Sequence, residues 1–229
     1  MYLDYTYVIF VLPALLIGLW AQAKVKSTFA KYSRVFSSRG ITGAQVSQLI
    51  LEQNGIHNVA IRHINGSLTD NYNPSTHVIS LSDDVYASSS VAAIGVAAHE
   101  TGHAIQHDVG YGPIKLREAI IPVTNIGSKL YLPIILIGCI LSSQSLLDLG
   151  IILFATIALF QLVTLPVEFN ASNRAIKTLE NYGVLDRNEL SGAKKVLSAA
   201  AMTYVAALLS SLGQLLRFIV LFGGRRRNN

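Results

Sequence analysis

The run Ala97-Ala98-His99-Glu100-Thr101-Gly102-His103-Ala104-Ile105-Gln106-His107 holds the residues best able to do chemistry. Residues four apart on a helix share a face, so His99 and His103 can converge on one ion. Glu100 stands beside the first histidine, where its carboxylate can take a proton from an attacking water. Two imidazoles suit zinc, and a hydrolytic site needs a third protein ligand and an open position. The plainer reading is a helix with two incidental polar histidines. The apolar period running from Ser88 through Ile105 favours the metal, because it sets the motif inside a helix instead of a loop.

Other polar groups are weaker candidates. His107 continues the four-residue spacing, but at about 1.5 Å per residue it lies roughly 12 Å along the helix from His99. One ion does not take all three, so His107 reads as a polar helix-end residue. His57, His63 and His77 read as surface or strand histidines, with His77 placed to touch a substrate. Glu168, in Leu165-Pro166-Val167-Glu168-Phe169-Asn170-Ala171-Ser172-Asn173-Arg174-Ala175, follows an apolar run. It fits a third ligand and equally a solvated charge at a membrane boundary; the residues alone leave both open. Tyr204 offers an oxyanion hydrogen bond or simple packing.

These groups sit in an unusually apolar chain. Hydrophobic residues make up 51% of the 229 and charged residues 14%, against about 25% charged in ordinary globular proteins. Mean hydropathy is +0.44. That composition excludes disorder, coiled coil and collagen. The lone Cys139 excludes an internal disulfide and a cysteine-based zinc site. The net charge of +5 is no nucleic-acid signal, since the basic residues flank apolar segments and follow membrane topology. The triple arginine Arg225-Arg226-Arg227 fits lipid headgroups better than nucleic acid.

The apolar run from Tyr5 to Ala23 is long enough to span, for which roughly 20 residues suffice. Its leading Met1-Tyr2-Leu3-Asp4 has no basic residue, which argues against a cleaved signal. Lys24, Lys26, Lys31, Arg34 and Arg39 follow it and place the next segment on the cytoplasmic side. Residues 24 to about 118 read as a folded domain. Thr42 caps a helix through Gln53, stopped by Gly55; Val59 to Ile64 is a strand; Asn71-Tyr72-Asn73-Pro74 is a turn. Thr76 to Ser82 alternates as a second strand, and as a sheet edge it would hold extended substrate through His77, Val78, Ile79 and Ser80. Leu130 to Leu147 and Ile151 to Val167 form an apolar hairpin turning at Asp148-Leu149-Gly150. Residues 196 to 222 are long enough to span, yet Ser210, Ser211, Gly213, Gln214 and Arg217 favour a helix partly packed on the polar domain.

Taken whole, the chain resembles the YugP-like neutral zinc metallopeptidases, a bacterial membrane family, and more distantly the HtpX and CAAX-prenyl-protease group. The matching stretches are Leu68 to Pro74, the strand through Leu81-Ser82, His99-Glu100-Thr101-Gly102-His103, Leu165 to Ala175, and Ala199 to Ala206. The resemblance implies one zinc per chain held by His99, His103 and Glu168, with Glu100 as catalytic acid/base. In the distant group an aspartate four residues after the ligand glutamate buttresses a zinc histidine. Here Ser172, then Asn173, occupies that place, and either orients imidazole with less gain in basicity than a carboxylate.

The resulting expectation is a mostly α, multi-pass protein of the bacterial plasma membrane with a zincin-like α+β catalytic domain. It would have an anchor over 1–23, a cytoplasmic domain over 24–129, a hairpin over 130–167, and a closing segment over 168–229 with the third-ligand helix. Its partners would be the bilayer and a peptide or membrane-protein substrate, with no nucleic acid. A rival reading is a zinc-containing chaperone or scaffold that binds unfolded segments uncut; Glu100 argues against it, since a structural site needs no adjacent base. A transporter fits poorly, because the spans hold few ionisable groups.

Overall fold

Capping chemistry sets the first helix of the polar region. Thr42 Oγ1 accepts from the Gln45 amide at 3.3 Å while Gln45 Oε1 accepts from the Thr42 amide at 2.9 Å. This reciprocal pair starts α2 (Gly43–Gln53), which ends at Asn54, followed by Gly55 at φ +70°. The computed structural model describes residues 5–223. Within them, α1 (Leu12–Tyr32) is preceded by a π-helical turn at Tyr7–Val11. After α2 come β1 (Ala60–His63), β2 (Asn71–Asn73) and β3 (Val78–Leu81), then α3 (Val91–Asp108), α4 (Gly112–Ile140), α5 (Gln144–Asn181) and α6 (Arg187–Gly223). The described residues are mostly helical with one small sheet. Among the described residues, four helical stretches, Tyr7–Tyr32, Gly112–Ile140, Gln144–Asn181 and Arg187–Gly223, are long and apolar enough to cross a membrane.

The chain forms two compact units. One comprises Ala23–Lys115 and Pro166–Met202; the other comprises the described residues within 1–22, 116–165 and 203–229. In the first, the sheet runs β1-β3-β2, with β1 parallel and β2 antiparallel to β3. Ile79 and Leu81 of β3 turn inward onto Val46, Ile50 and Leu51 of α2 and Ile94 and Ala97 of α3. Ala175 and Leu179 of α5 and Ala193, Val196 and Leu197 of α6 complete that core. Ser90 Oγ accepts from the Ala93 amide at 3.2 Å and starts α3. In the second unit, Ile135, Leu147, Phe154 and Phe218 form a separate buried cluster.

Four local expectations need correction. Asn71–Asn73 is a short strand instead of a turn. Its asparagine chemistry acts one step later, where Asn73 Oδ1 accepts from the Ser75 and Thr76 amides at 2.9 and 3.2 Å. The strand holding Val78, Ile79 and Ser80 is central, paired on both sides, and His77 lies just before it; this backbone has no free edge for a substrate. Among the described residues, β1 and β2 are the outer strands.

The hairpin turns at 141–143, ahead of Asp148-Leu149-Gly150. Ser142 takes the left-handed conformation at φ +50°, and the Ser143 amide bonds Gly138 O at 2.9 Å. Asp148 instead lies in the first turns of α5, where its Oδ1 accepts from Gln144 Nε2 at 2.8 Å. Gly150 lies inside α5, where a Cβ would collide with the Ile135 side chain of α4. The second long apolar helix also begins at Gly112, well before Leu130. On α6, Ala193, Val196 and Leu197 lie in the polar unit's core, while residues from Thr203 group with the other unit. Met1 to Asp4 and Arg225-Arg226-Arg227 lie outside the described residues.

Candidate metal centre

His99 and His103 project from successive turns of α3, with ring centroids 4.8 Å apart and planes at 85°. Glu168, on α5, faces both. Its Oε2 lies 3.3 Å from His99 Nε2 and 3.6 Å from His103 Nε2. One donor atom from each of the three residues falls within 4.8 Å of the others. Glu168 is only 2% exposed, between Val167 and Ala171, which are fully buried. A buried carboxylate is costly unless it has cationic or metal partners.

Glycine permits the two helices to come this close. A Cβ on Gly102 would sit 2.8 Å from the Ala171 carbonyl oxygen, so α3 and α5 touch backbone to backbone between the histidines. That contact lies beside Glu168 and brings its side chain within reach of both imidazoles.

Each histidine is oriented from behind. Gln106, fully buried, accepts from His103 Nδ1 through Oε1 at 2.9 Å. Its Nε2 donates to Val167 O at 2.8 Å and to Asn170 Oδ1 at 3.0 Å, which fixes which end of the amide faces the imidazole. His103 therefore carries a proton on Nδ1, and Nε2 is the ring nitrogen that faces Glu168. On the other histidine, Ser172 Oγ lies 3.1 Å from His99 Nδ1. Ser172 thus stands where the sequence placed a buttress, whereas Asn173 is exposed. Gln106 and Asn170 were not singled out by the sequence. The signal available was positional: Gln106 lies one turn after His103, and Asn170 two residues after Glu168.

Burial drives the Glu100 carboxyl above its ordinary range, and the charges of Glu168 and Asp70 push it further, against the pull of His99 and His103. Burial alone would lower His103, but the Glu168 carboxylate outweighs it and the imidazole is shifted upward. Asp70 holds the end of the sheet to its neighbour, accepting from the Ser82 amide at 2.8 Å and from Ser82 Oγ at 3.0 Å.

The remaining sequence candidates fall elsewhere. His63 Nε2 bonds Asp83 Oδ1 at 2.7 Å, and His57 is exposed. His107 and His77 contact each other and are not among the three converging donors. Tyr204 is half-buried on α6.

The donor set fits zinc. Ligands about 2.0–2.2 Å from a tetrahedral ion lie roughly 3.3–3.6 Å apart, which matches the spacings from Glu168 to the two histidines. Two neutral imidazoles and a carboxylate are also a chemistry that zinc hydrolases use.

Among the described residues, four helices long and apolar enough to cross a membrane and three donors that could hold a metal ion are the features a membrane metalloprotein would carry. The chain belongs to the family described as "Putative neutral zinc metallopeptidase", whose model matches residues 7–223. It is 48% identical over 223 residues to the "Putative membrane protease YugP" of Bacillus subtilis (strain 168), covering 97% of this chain and 99% of that protein. No solved structure matches the chain.

Proposed function

We propose that the protein is a membrane zinc metalloendopeptidase of gluzincin type, with a zincin-like catalytic unit. His99, His103 and Glu168 hold a single zinc, and Glu100 is the general base and acid. The observation that supports this most is the convergence of the three donors beside an acid that no structural metal site requires. Bound there, zinc polarises a scissile carbonyl and acidifies water. Glu100 takes the proton of the attacking water and passes it to the leaving amine. Gln106 and Ser172 hold the imidazoles in the ligating orientation. An extended peptide would lie along β2, an outer strand of the sheet that packs against α3.

Glu100→Gln separates this reading from a zinc-containing chaperone that binds segments uncut. Proteolysis should vanish while zinc content stays at that of the wild type. Retained cleavage would remove Glu100 from the mechanism and leave the scaffold reading or another base.

The basic cluster Lys24, Lys26, Lys31, Arg34 and Arg39 supports a polar unit on the cytoplasmic side. The substrates would then be peptides or membrane-protein segments at that face. In a Cys139→Ser background, cysteine at Ser142 should react with an impermeant maleimide on intact cells, and cysteine at Ser67 should react only after lysis. Labelling of Ser67 from outside would invert the topology.

A further inference from the structure

One turn beyond His103, His107 meets a second histidine from the sheet. Its ring centroid lies 5.5 Å from that of His77, with the planes at 67°. The zinc-directed pair, His99 and His103, has nearly the same relation at 4.8 Å and 85°. Tyr72 packs its ring against His107 at 6.2 Å and limits how that imidazole turns. His77 is also one of the few non-glycine residues in the left-handed region, at φ +52°. The turn does not need an imidazole there. Asn73 already caps the Ser75 and Thr76 amides, and His77 O accepts from the Ala60 amide at 2.9 Å. Glycine or asparagine would fit the conformation with less strain. A left-handed backbone position occupied by histidine, held against a second histidine, points to a role for the pair itself.

We infer that His77 and His107 form a second, exchangeable site for a borderline transition-metal ion such as Zn2+, completed by water. An ion about 2.0–2.1 Å from one nitrogen of each imidazole holds the ring centroids roughly 5 Å apart, close to the spacing observed. Neutral imidazoles select zinc, nickel or copper over magnesium or calcium. With two protein donors against three, this site is the weaker. It lies about 6 Å along α3 from His103, one helical turn. The assignment does not depend on the proposed peptidase chemistry, because it uses neither Glu100 nor Glu168.

The test is zinc binding by the full chain in detergent, metal-depleted and without a polyhistidine tag, followed by equilibrium dialysis against buffered free Zn2+. Wild type should show a tight and a weaker class of bound zinc. His77→Gly relaxes the backbone while removing the imidazole, so its thermal midpoint should hold or rise while the weaker class is lost. His107→Ala should lose the same class. Changes that only reorient a ligand cost about 10–100-fold in metal affinity, so removing one of two ligands should weaken the site at least that much. Glu168→Ala should do the reverse, losing the tight class and keeping the weaker. A single class in wild type overturns the inference. So does a weaker class unchanged in both histidine variants, which would assign it to surface residues such as His57 and His63. If His107→Ala does not fold, His77→Gly decides alone.

Discussion

Gln106 Nε2 donates a 2.8 Å hydrogen bond to the carbonyl of Val167, the residue before Glu168, while its Oε1 accepts from His103. One buried amide thus joins a histidine of α3 to the backbone that carries the carboxylate on α5. Gln106→Ala should lower zinc affinity by about 10–100-fold with the fold retained. Ser172→Ala should cost less, because a hydroxyl adds little to imidazole basicity, and Asn173→Ala should change nothing measurable. Zinc competition against a chelator of known affinity gives the order; an effect of Asn173 equal to that of Gln106 would contradict it.

Gly102 is the position where a methyl group has nowhere to go. Its Cβ would stand 2.8 Å from Ala171 O, a backbone atom that cannot rotate aside. Gly102→Ala should force α3 and α5 apart and destabilise the polar unit by about 1–3 kcal/mol, the usual cost of overpacking. Zinc affinity should fall with it, since the shift moves Glu168 from both histidines. Thermal unfolding with and without zinc checks this. A variant with wild-type stability and affinity would mean that the close approach is not what sets the donors.

How much of this is legible in the sequence depends on the range of each interaction. The pentapeptide from His99 to His103 announces its own geometry because helical spacing is local. The Thr42 cap and the Ser90-initiated helix are equally local. Glu168 is different: the residues alone leave it balanced between ligand and boundary charge, and only the family resemblance, followed by the fold, sets it against the histidines. Gln106 is a neutral amide in an apolar helix, and nothing within the helix tells of its bonds to Val167 and Asn170 across the interface. The sheet order was hidden for a related reason. Alternation in Thr76 to Ser82 marks a strand with one buried face, but it does not say how many neighbours that strand has. Asp148 and Gly150 carry turn chemistry in the sequence, but the bend uses Ser142, and Gly150 serves helix packing instead.

Zinc content of Glu168→Ala tests the central claim most directly. Purified wild-type protein should carry one tightly held zinc, and the variant, left with two histidines, should lose it on dialysis against a mild chelator along with peptidase activity. His99→Ala and His103→Ala should behave alike. If Glu168→Ala keeps the wild-type zinc content and turnover, the metal is held by other residues and the proposed centre is wrong.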